Sequence, residues 1–179
     1  MQTVFFPVME ELRDRLAGDL DGTFEDLVTA IRDDLYSGLR PLHGTEAEDL
    51  AQEALIRAYR ALCGYEPDRI RALRLRPWIW TIALNLSRNQ ARDRARRPTA
   101  VELVDTHGVH DPEPLDTAAW EARLACLPLA QRRAVVLRHV VDLSYPEIAE
   151  ITGRPEGTIK ADVSRGLARL RTIMQEERG

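Results

Sequence analysis

Residues 144–171 constrain the fold of this chain more than any other stretch, because they predict two helices joined by a sharp turn. Ser144 and Glu147 have the spacing of a capping box, in which the serine accepts a first-turn N–H and the glutamate reaches back to the serine N–H. Gly153 then tolerates the positive φ of a helix C-terminus, and Pro155 prevents the first helix from continuing. A second helix is predicted to begin between Pro155 and Thr158.

The second helix of this stretch has one apolar and one basic face. Apolar residues recur at spacings of three and four at Ile159, Val163, Leu167 and Leu170. The other face carries Lys160, Arg165, Arg169 and Arg171. Two short helices with a basic exposed face are typical of a helix-turn-helix, whose second helix enters a DNA major groove. The alternative is an ordinary helical hairpin with a solvated charged face, but the turn chemistry favours DNA binding.

The charge of the chain is unevenly distributed, although the net charge is only −4. Residues 1–60 are acidic, residues 69–97 are rich in arginine, residues 102–121 are acidic again, and the C-terminal helix pair is basic. With 179 residues the chain can hold one large or two small domains. The pattern predicts two surfaces that contact a polyanion, held apart by an acidic connector.

Several function classes find no support in the sequence. No apolar run reaches the length of a membrane span, and the start lacks the pattern of a secretory signal. Cys63 and Cys126 show no metal-type spacing and are expected to be free thiols in a reducing cytoplasm. Nothing near His107 and His110 completes a metal site, so we predict neither a metal nor a cofactor.

The first half of the chain reads as a series of helices. Residues 1–22 predict an amphipathic extension with one apolar face, formed by Phe5, Phe6, Val8, Met9, Leu12 and Leu16. A helix is predicted over residues 24–39 and is interrupted by Gly38, Pro41 and Gly44. Thr45 and Glu48 have the spacing of a second capping box, so another helix is expected to run to about Leu62.

Pro77 is expected to open a strong helix after an irregular basic segment. Trp78 is assigned to the core, and the side chains expected to project elsewhere are Trp80, Asn85, Arg88, Asn89 and Arg92. Asn85 has two alternative roles: it can hydrogen-bond bases splayed out of a single strand, or it can be a buried packing amide. Arginines one turn away would track the backbone of such a strand.

The second half of the chain begins with a linker. Residues 98–114 are polar, acidic and contain proline without periodicity, which predicts a flexible connector. Helices are then expected over 115–126 and from Pro128 onward, followed by the helix-turn-helix. The predicted fold class is therefore all-α, with two small helical domains joined by an acidic flexible linker.

The order of these segments resembles a known family. The segments AEDLAQEALIRAYRAL, RPWIWTIALNLSRNQARDRARR and LPLAQRRAVVLRHVVDLSYPEIAEITGRPEGTIK are similar to those of bacterial RNA polymerase sigma factors of the extracytoplasmic-function group (group IV). The resemblance covers nearly all of the chain from about Phe24. It implies an N-terminal extension over 1–22, region 2 over 23–97, a linker over 98–114 and region 4 over 115–179.

The resemblance also implies partners and site residues. An acidic helix of region 2 would dock on the clamp coiled coil of the largest polymerase subunit through Asp49, Gln52 and Glu53. The residues expected to recognise and open the −10 promoter element are Asn85, Arg88, Asn89 and Arg92. The residues expected to read the −35 element are Pro155, Thr158, Lys160 and Arg165. Region 4 would also contact the flap of the second-largest subunit, and an anti-sigma factor is a further expected partner.

One position departs from the family pattern. Many members carry Ser-Arg where this chain has Ala161-Asp162. An aspartate near phosphates is repulsive, although it can accept from a cytosine amine. We therefore expect Asp162 to influence the preference for −35 sequences.

Two other classes are alternatives to a sigma factor. A helix-turn-helix transcription regulator would act without being a polymerase subunit, but the helix carrying Gln52 and Glu53 and the helix carrying Asn85 argue against it. A DNA-processing enzyme such as a recombinase would need a nucleophile or a metal-binding acidic cluster on the basic domain, and the sequence shows neither. The expectation is a cytoplasmic protein that binds polymerase and promoter DNA, with no catalytic residues and no membrane insertion.

Overall fold

The computed structural model describes residues 2–96 and 115–177, and all regular structure within them is helical. The helices are α1 (Gln2–Gly18), α2 (Leu20–His43), α3 (Ala47–Cys63), α4 (Pro67–Arg71), α5 (Leu75–Arg96), α6 (Leu115–Ala125), α7 (Leu129–His139), α8 (Tyr145–Thr152) and α9 (Glu156–Glu176). A short 3₁₀ turn, Gly44–Glu46, joins α2 to α3. The predicted linker, with His107 and His110, lies outside the described residues.

Helices α1–α5 form the first bundle. Helix α3 packs between α2 and α5, and α1 lies across α2 and α4. The inward residues of α2 and α3 are fully buried, including Leu27, Ile31, Leu35, Leu50, Ala54, Ala58 and Leu62. At the edge of the bundle the Tyr59 hydroxyl donates to Asp21 Oδ1 over 2.6 Å. This bond to a carboxylate raises the pKa of Tyr59 to about 12, because the phenolate would face a negative charge.

Helices α6–α9 form the second bundle, in which α7 and α8 pack against α9. Its core joins three adjacent valine and leucine residues of α7 to the apolar faces of the last two helices. The buried residues are Val135, Val136, Leu137, Ile148, Ile151, Ile159, Val163 and Leu170. The predicted apolar faces of the helix-turn-helix are therefore confirmed, and the all-α architecture of two small bundles is confirmed with them.

The two bundles are docked on each other, with α8 against α5 and with α6 and α7 against α2. A buried polar network ties the seam together. Arg76 Nη2 lies 2.6 Å from Asp34 Oδ1, and Trp80 Nε1 donates to Asp34 Oδ2 over 3.0 Å. Arg76 also donates to the backbone carbonyl of Val141 in the second bundle. The charge pattern predicted separated surfaces; it takes no account of ion pairs that bury opposite charges between the bundles.

More exposed ion pairs lie along the same seam. Arg74 donates to Glu147 over 2.7 Å and to Glu150 over 3.0 Å, and Arg40 pairs with Glu121 over 2.9 Å. Such pairs contribute modestly to stability and are screened by salt. The buried network around Asp34 is therefore the stronger constraint on the docked arrangement.

The predicted interruption of the first long helix is wrong at two residues. Helix α2 continues through Gly38 and Pro41, and it ends only at Gly44, whose φ is +59°. Gly38 is buried against Val141 and the ring of Trp80, and a methyl group there would collide with both side chains. Its glycine allows a close approach between bundles instead of ending the helix.

The predicted second capping box is also wrong. Glu46 is the N-cap of α3, Thr45 lies in the preceding 3₁₀ turn, and no side chain caps the helix. Capping-box spacing is effective only if the serine or threonine itself occupies the N-cap. The 3₁₀ turn moves that position one residue along the chain.

The tryptophan assignments are reversed in the structure. Trp80, expected to project away from the core, is completely buried, whereas Trp78 is partly buried against Tyr65. The bundle-only pattern misplaced Trp80 because its burial depends on the second bundle as well as the first. Val8, assigned to the apolar face of the extension, is exposed, while Met9, Leu12 and Leu16 are buried as predicted.

We predict that Asp34→Ala destabilises the chain by about 3 kcal/mol, because it leaves the Arg76 cation buried without its carboxylate. The matched control is Asp33→Ala, since the Asp33 side chain is 90% exposed and that of Asp34 only 12%. The control should change stability by less than about 0.5 kcal/mol. Urea unfolding followed by circular dichroism measures both, and equal losses would contradict the role of Asp34.

Candidate nucleic-acid interface

The helix-turn-helix is assembled by local hydrogen bonds that the sequence predicted. Ser144 Oγ accepts from the Glu147 N–H over 3.4 Å, and Glu147 Oε2 accepts from the Ser144 N–H over 2.8 Å. Gly153 has a φ of +66°, the left-handed conformation that closes α8 and that glycine adopts without strain. Pro155 is the N-cap of α9. These features fix the angle at which the second helix leaves the turn.

The predicted −35 residues lie at the beginning of α9 and along its outer side. Pro155, Lys160 and Arg165 are exposed, and Thr158 is partly buried. Lys160 Nζ lies 2.6 Å from Glu156, whose hydrogen bond and charge raise the pKa of Lys160. Lys160 therefore remains a cation at neutral pH and presents it at the N-terminal part of the helix.

Asp162 does not belong to the exposed face of α9. Its side chain is only 8% exposed and lies 2.6 Å from Arg154 Nη2 and 3.6 Å from Arg165 Nη2. The carboxylate therefore connects the turn to the second helix. The expectation that it faces phosphates or bases is wrong, because burial beside two arginines removes it from the groove-facing surface.

The predicted −10 residues share the exposed side of α5. Asn85, Arg88, Asn89 and Arg92 are all exposed, whereas Leu84 and Leu86 between and before them are buried. Arg92 Nη2 donates to Asn89 Oδ1 over 3.3 Å. Of the two alternatives for Asn85, the buried packing amide is excluded. The surface offers amide donors and acceptors beside cations, the combination that unpaired bases and a phosphate backbone require.

Part of this α5 surface faces the second bundle. Arg88 Nη2 donates to the Thr152 carbonyl at the C-terminal end of α8, over 2.8 Å. Arg88 therefore spans the seam in the docked arrangement. A nucleic acid strand that used its guanidinium would have to displace that carbonyl.

The segment before α5 is folded rather than irregular. It contains α4, and the guanidinium carbon of Arg69 lies 3.6 Å from the centre of the Tyr65 ring. Tyr65 in turn packs beside Trp78, with ring centres 6.1 Å apart. An arginine stacked on an aromatic ring gives this loop a defined shape next to the exposed side of α5.

The predicted polymerase-docking residues lie together on α3. Asp49 and Gln52 are exposed, and Glu53 is partly buried and pairs with Arg57 over 2.7 Å. Ile56 was missed by the sequence interpretation: it is 45% exposed and follows Gln52 by one helical turn. Its position outside the inward series Leu50, Ala54, Ala58 and Leu62 was the signal that could have revealed it. The face therefore combines acidic and amide groups with one apolar side chain.

Within residues 2–96 and 115–177, no group of three or more His, Cys, Asp or Glu side chains is arranged to hold a metal ion. No helix in the same ranges is long and apolar enough to cross a membrane. Cys63 and Cys126 are exposed free thiols, one in each bundle. The chemistry of the described surfaces is thus that of hydrogen bonds and charges.

Comparisons with known proteins agree with this geometry. The family model described as Sigma-70 region 2 matches residues 24–97, and the one described as Sigma-70, region 4 matches residues 117–170. The ECF RNA polymerase sigma factor SigW of Bacillus subtilis is 31% identical, with 89% of this chain and 92% of the relative covered. The ECF RNA polymerase sigma factor EcfG of Rhodopseudomonas palustris is also 31% identical, with 83% and 87% covered.

A solved structure has a similar fold. The sigma factor RpoE from Bartonella quintana, in complex with the anti-sigma factor NepR, is 27% identical and has a TM-score of 0.72. The similarity covers 85% of this chain and 96% of that one. The two bundles, the helix-turn-helix and the amide-bearing helix define an all-α transcription protein that binds DNA. The chain belongs to the extracytoplasmic-function group of the sigma-70 family.

Proposed function

We propose that this sigma factor binds core RNA polymerase through α3, opens the −10 element with α5 and reads the −35 element with α9. The observation that carries the proposal is the exposed row of Asn85, Arg88, Asn89 and Arg92 on a helix whose other side is core. Family membership supports polymerase binding and promoter recognition as the activity. Strand opening is then stabilised by binding energy, and no acid–base or nucleophilic group takes part.

The proposed polymerase contact is the α3 face around Asp49, Gln52 and Glu53, extended by Ile56. Its acidic and amide groups complement a basic or polar partner helix, and the exposed isoleucine supplies an apolar contact at its edge. This face lies on the clamp coiled coil of the largest subunit in our proposal. The second bundle would contact the flap of the second-largest subunit.

The proposed DNA contacts divide between duplex and single strand. Pro155, Thr158, Lys160 and Arg165 would enter the major groove of the −35 element with the beginning of α9. Asn85 and Asn89 would hydrogen-bond unstacked bases of the −10 element, while Arg88 and Arg92 would contact its phosphates. Because arginines supply much of the affinity, promoter binding should fall steeply with salt.

The proposed domain boundaries follow the two bundles and the family matches. Region 2 would span residues 23–97 and region 4 residues 115–179, with an extension over 1–22 and a linker over 98–114. In the docked arrangement Arg88 bonds to the second bundle, so the bundles must separate before α5 can bind DNA. The partner of RpoE in the similar structure supports an anti-sigma factor as a cytoplasmic regulator that favours a closed state.

We predict that Glu53→Arg lowers the affinity for core polymerase at least about tenfold, because it places a second cation beside Arg57 on the acidic face. Glu25→Arg is the matched control, since Glu25 is an exposed glutamate of α2 in the same bundle. Fluorescence polarisation with labelled chain measures both affinities. Unchanged core affinity in the Glu53 variant would contradict docking through α3.

Asn85→Ala should weaken promoter opening roughly tenfold while leaving core binding intact, because it removes a base contact made only in the open complex. The control is Gln90→Ala, which removes an exposed side-chain amide at a different angle on the same helix. Opening is followed with 2-aminopurine in the −10 element. A parallel loss of core affinity would count against a role in base recognition.

Lys160→Ala in the holoenzyme should cost about 1 kcal/mol of binding to a −35 duplex, since it removes the cation nearest the beginning of α9. Arg171→Ala removes an exposed cation far along the same helix and should have a smaller effect. Electrophoretic mobility shifts at two salt concentrations provide the measurement. If the Arg171 variant lost more affinity than the Lys160 variant, the proposed orientation of α9 would be wrong.

A further inference from the structure

Three arginines converge where the two bundles meet beside the helix-turn-helix: Arg88 of α5, Arg133 of α7 and Arg154 in the turn before α9. Arg88 bonds to the Thr152 carbonyl, and Thr152 precedes Arg154 by only two residues. Arg154 pairs with Asp162 over 2.6 Å. Asp162 is the one carboxylate that the described contacts give to this cluster, so three guanidinium charges face one negative charge.

Arg133 is the member of the cluster whose interactions are incomplete. It is partly buried, and its Nε is shielded from solvent without a hydrogen-bond partner among the described residues. Burial and the charges of Arg88 and Arg154 all lower the pKa of Arg133. A guanidinium nevertheless keeps its proton in proteins, so the strain is not relieved by losing the charge. The cluster therefore has an unmet requirement for an anionic acceptor.

We propose that Arg88, Arg133 and Arg154 form a binding site for a free phosphoryl anion, which bridges the two bundles and stabilises their docked arrangement. The chemistry favours this class of ligand for two reasons. Guanidinium groups donate paired hydrogen bonds that match the oxygens of phosphate. A doubly charged oxyanion also balances the two positive charges that Asp162 leaves uncompensated.

The site exists only while the bundles are docked, because Arg88 belongs to the first bundle and the other two arginines to the second. A ligand that binds one of two conformations shifts the population toward it. The anion therefore favours the closed form and competes with any process that needs Arg88 free. Its consequence for transcription rests on the proposed function, whereas the site itself does not.

The test uses the full chain without polymerase, so that its result is independent of the proposed function. Cys63 and Cys126 are the two cysteines of the chain, and both are exposed, one in each bundle. Spin labels on them report docking by electron–electron resonance. Pyrophosphate is the probe, titrated against sodium chloride of equal ionic strength, and calorimetry measures its affinity. We expect pyrophosphate to raise the docked fraction and the unfolding midpoint.

Arg133→Gln should weaken pyrophosphate binding at least about tenfold and remove its effect on docking. Arg171→Gln, which removes an exposed arginine at the far end of α9, should retain both. Titrations with a nucleoside diphosphate and with inorganic phosphate distinguish the possible sources of the phosphoryl group. Circular dichroism verifies that each variant is folded.

Two results would overturn the site. The first is a pyrophosphate effect that is equal in the Arg133 and Arg171 variants, which would indicate general screening of charge. The second is a wild-type chain that does not respond to any phosphoryl probe while Arg133→Gln increases docking by itself, which would make the cluster purely repulsive. Binding of duplex DNA that depends on Arg133, without any response to pyrophosphate, would likewise assign the cluster to DNA and contradict the proposal.

Discussion

The carboxylate of Asp34 is the constraint on which the two-bundle arrangement depends. It accepts from Arg76 and Trp80, and Arg76 also donates to the carbonyl of Val141 in the second bundle. An unpaired cation at such a buried place would be costly, so both partners must be present together. The close approach allowed by Gly38 completes the contact. The same side chains therefore organise the core of the first bundle and its seam with the second.

The parts of the fold that could be predicted from the sequence are those determined by neighbours along the chain. The capping box of Ser144 and Glu147, the left-handed Gly153 and the apolar spacing of α9 depend on residues within a few turns of each other. They appear in the structure as expected. The exposed side of α5 was also predictable, because a helix that buries Leu84 and Leu86 must expose other residues.

The parts that were mispredicted depend on contacts between distant segments. Trp80 looked peripheral because its hydrogen-bond acceptor, Asp34, lies on another helix. Gly38 resembled a helix breaker, yet its small size serves packing against Val141. Asp162 seemed to face DNA until Arg154 was found beside it. In each case propensity was overridden by a tertiary partner that periodicity does not reveal.

Glu147 divides its two oxygens between different tasks. Oε2 completes the cap of α8 by accepting from Ser144, while Oε1 accepts from Arg74 across the seam. Release of Arg74 therefore leaves the cap in place. The reading head does not need to refold when the bundles part, so the free energy of separation contains only the cost of the seam and no cost of rebuilding a helix.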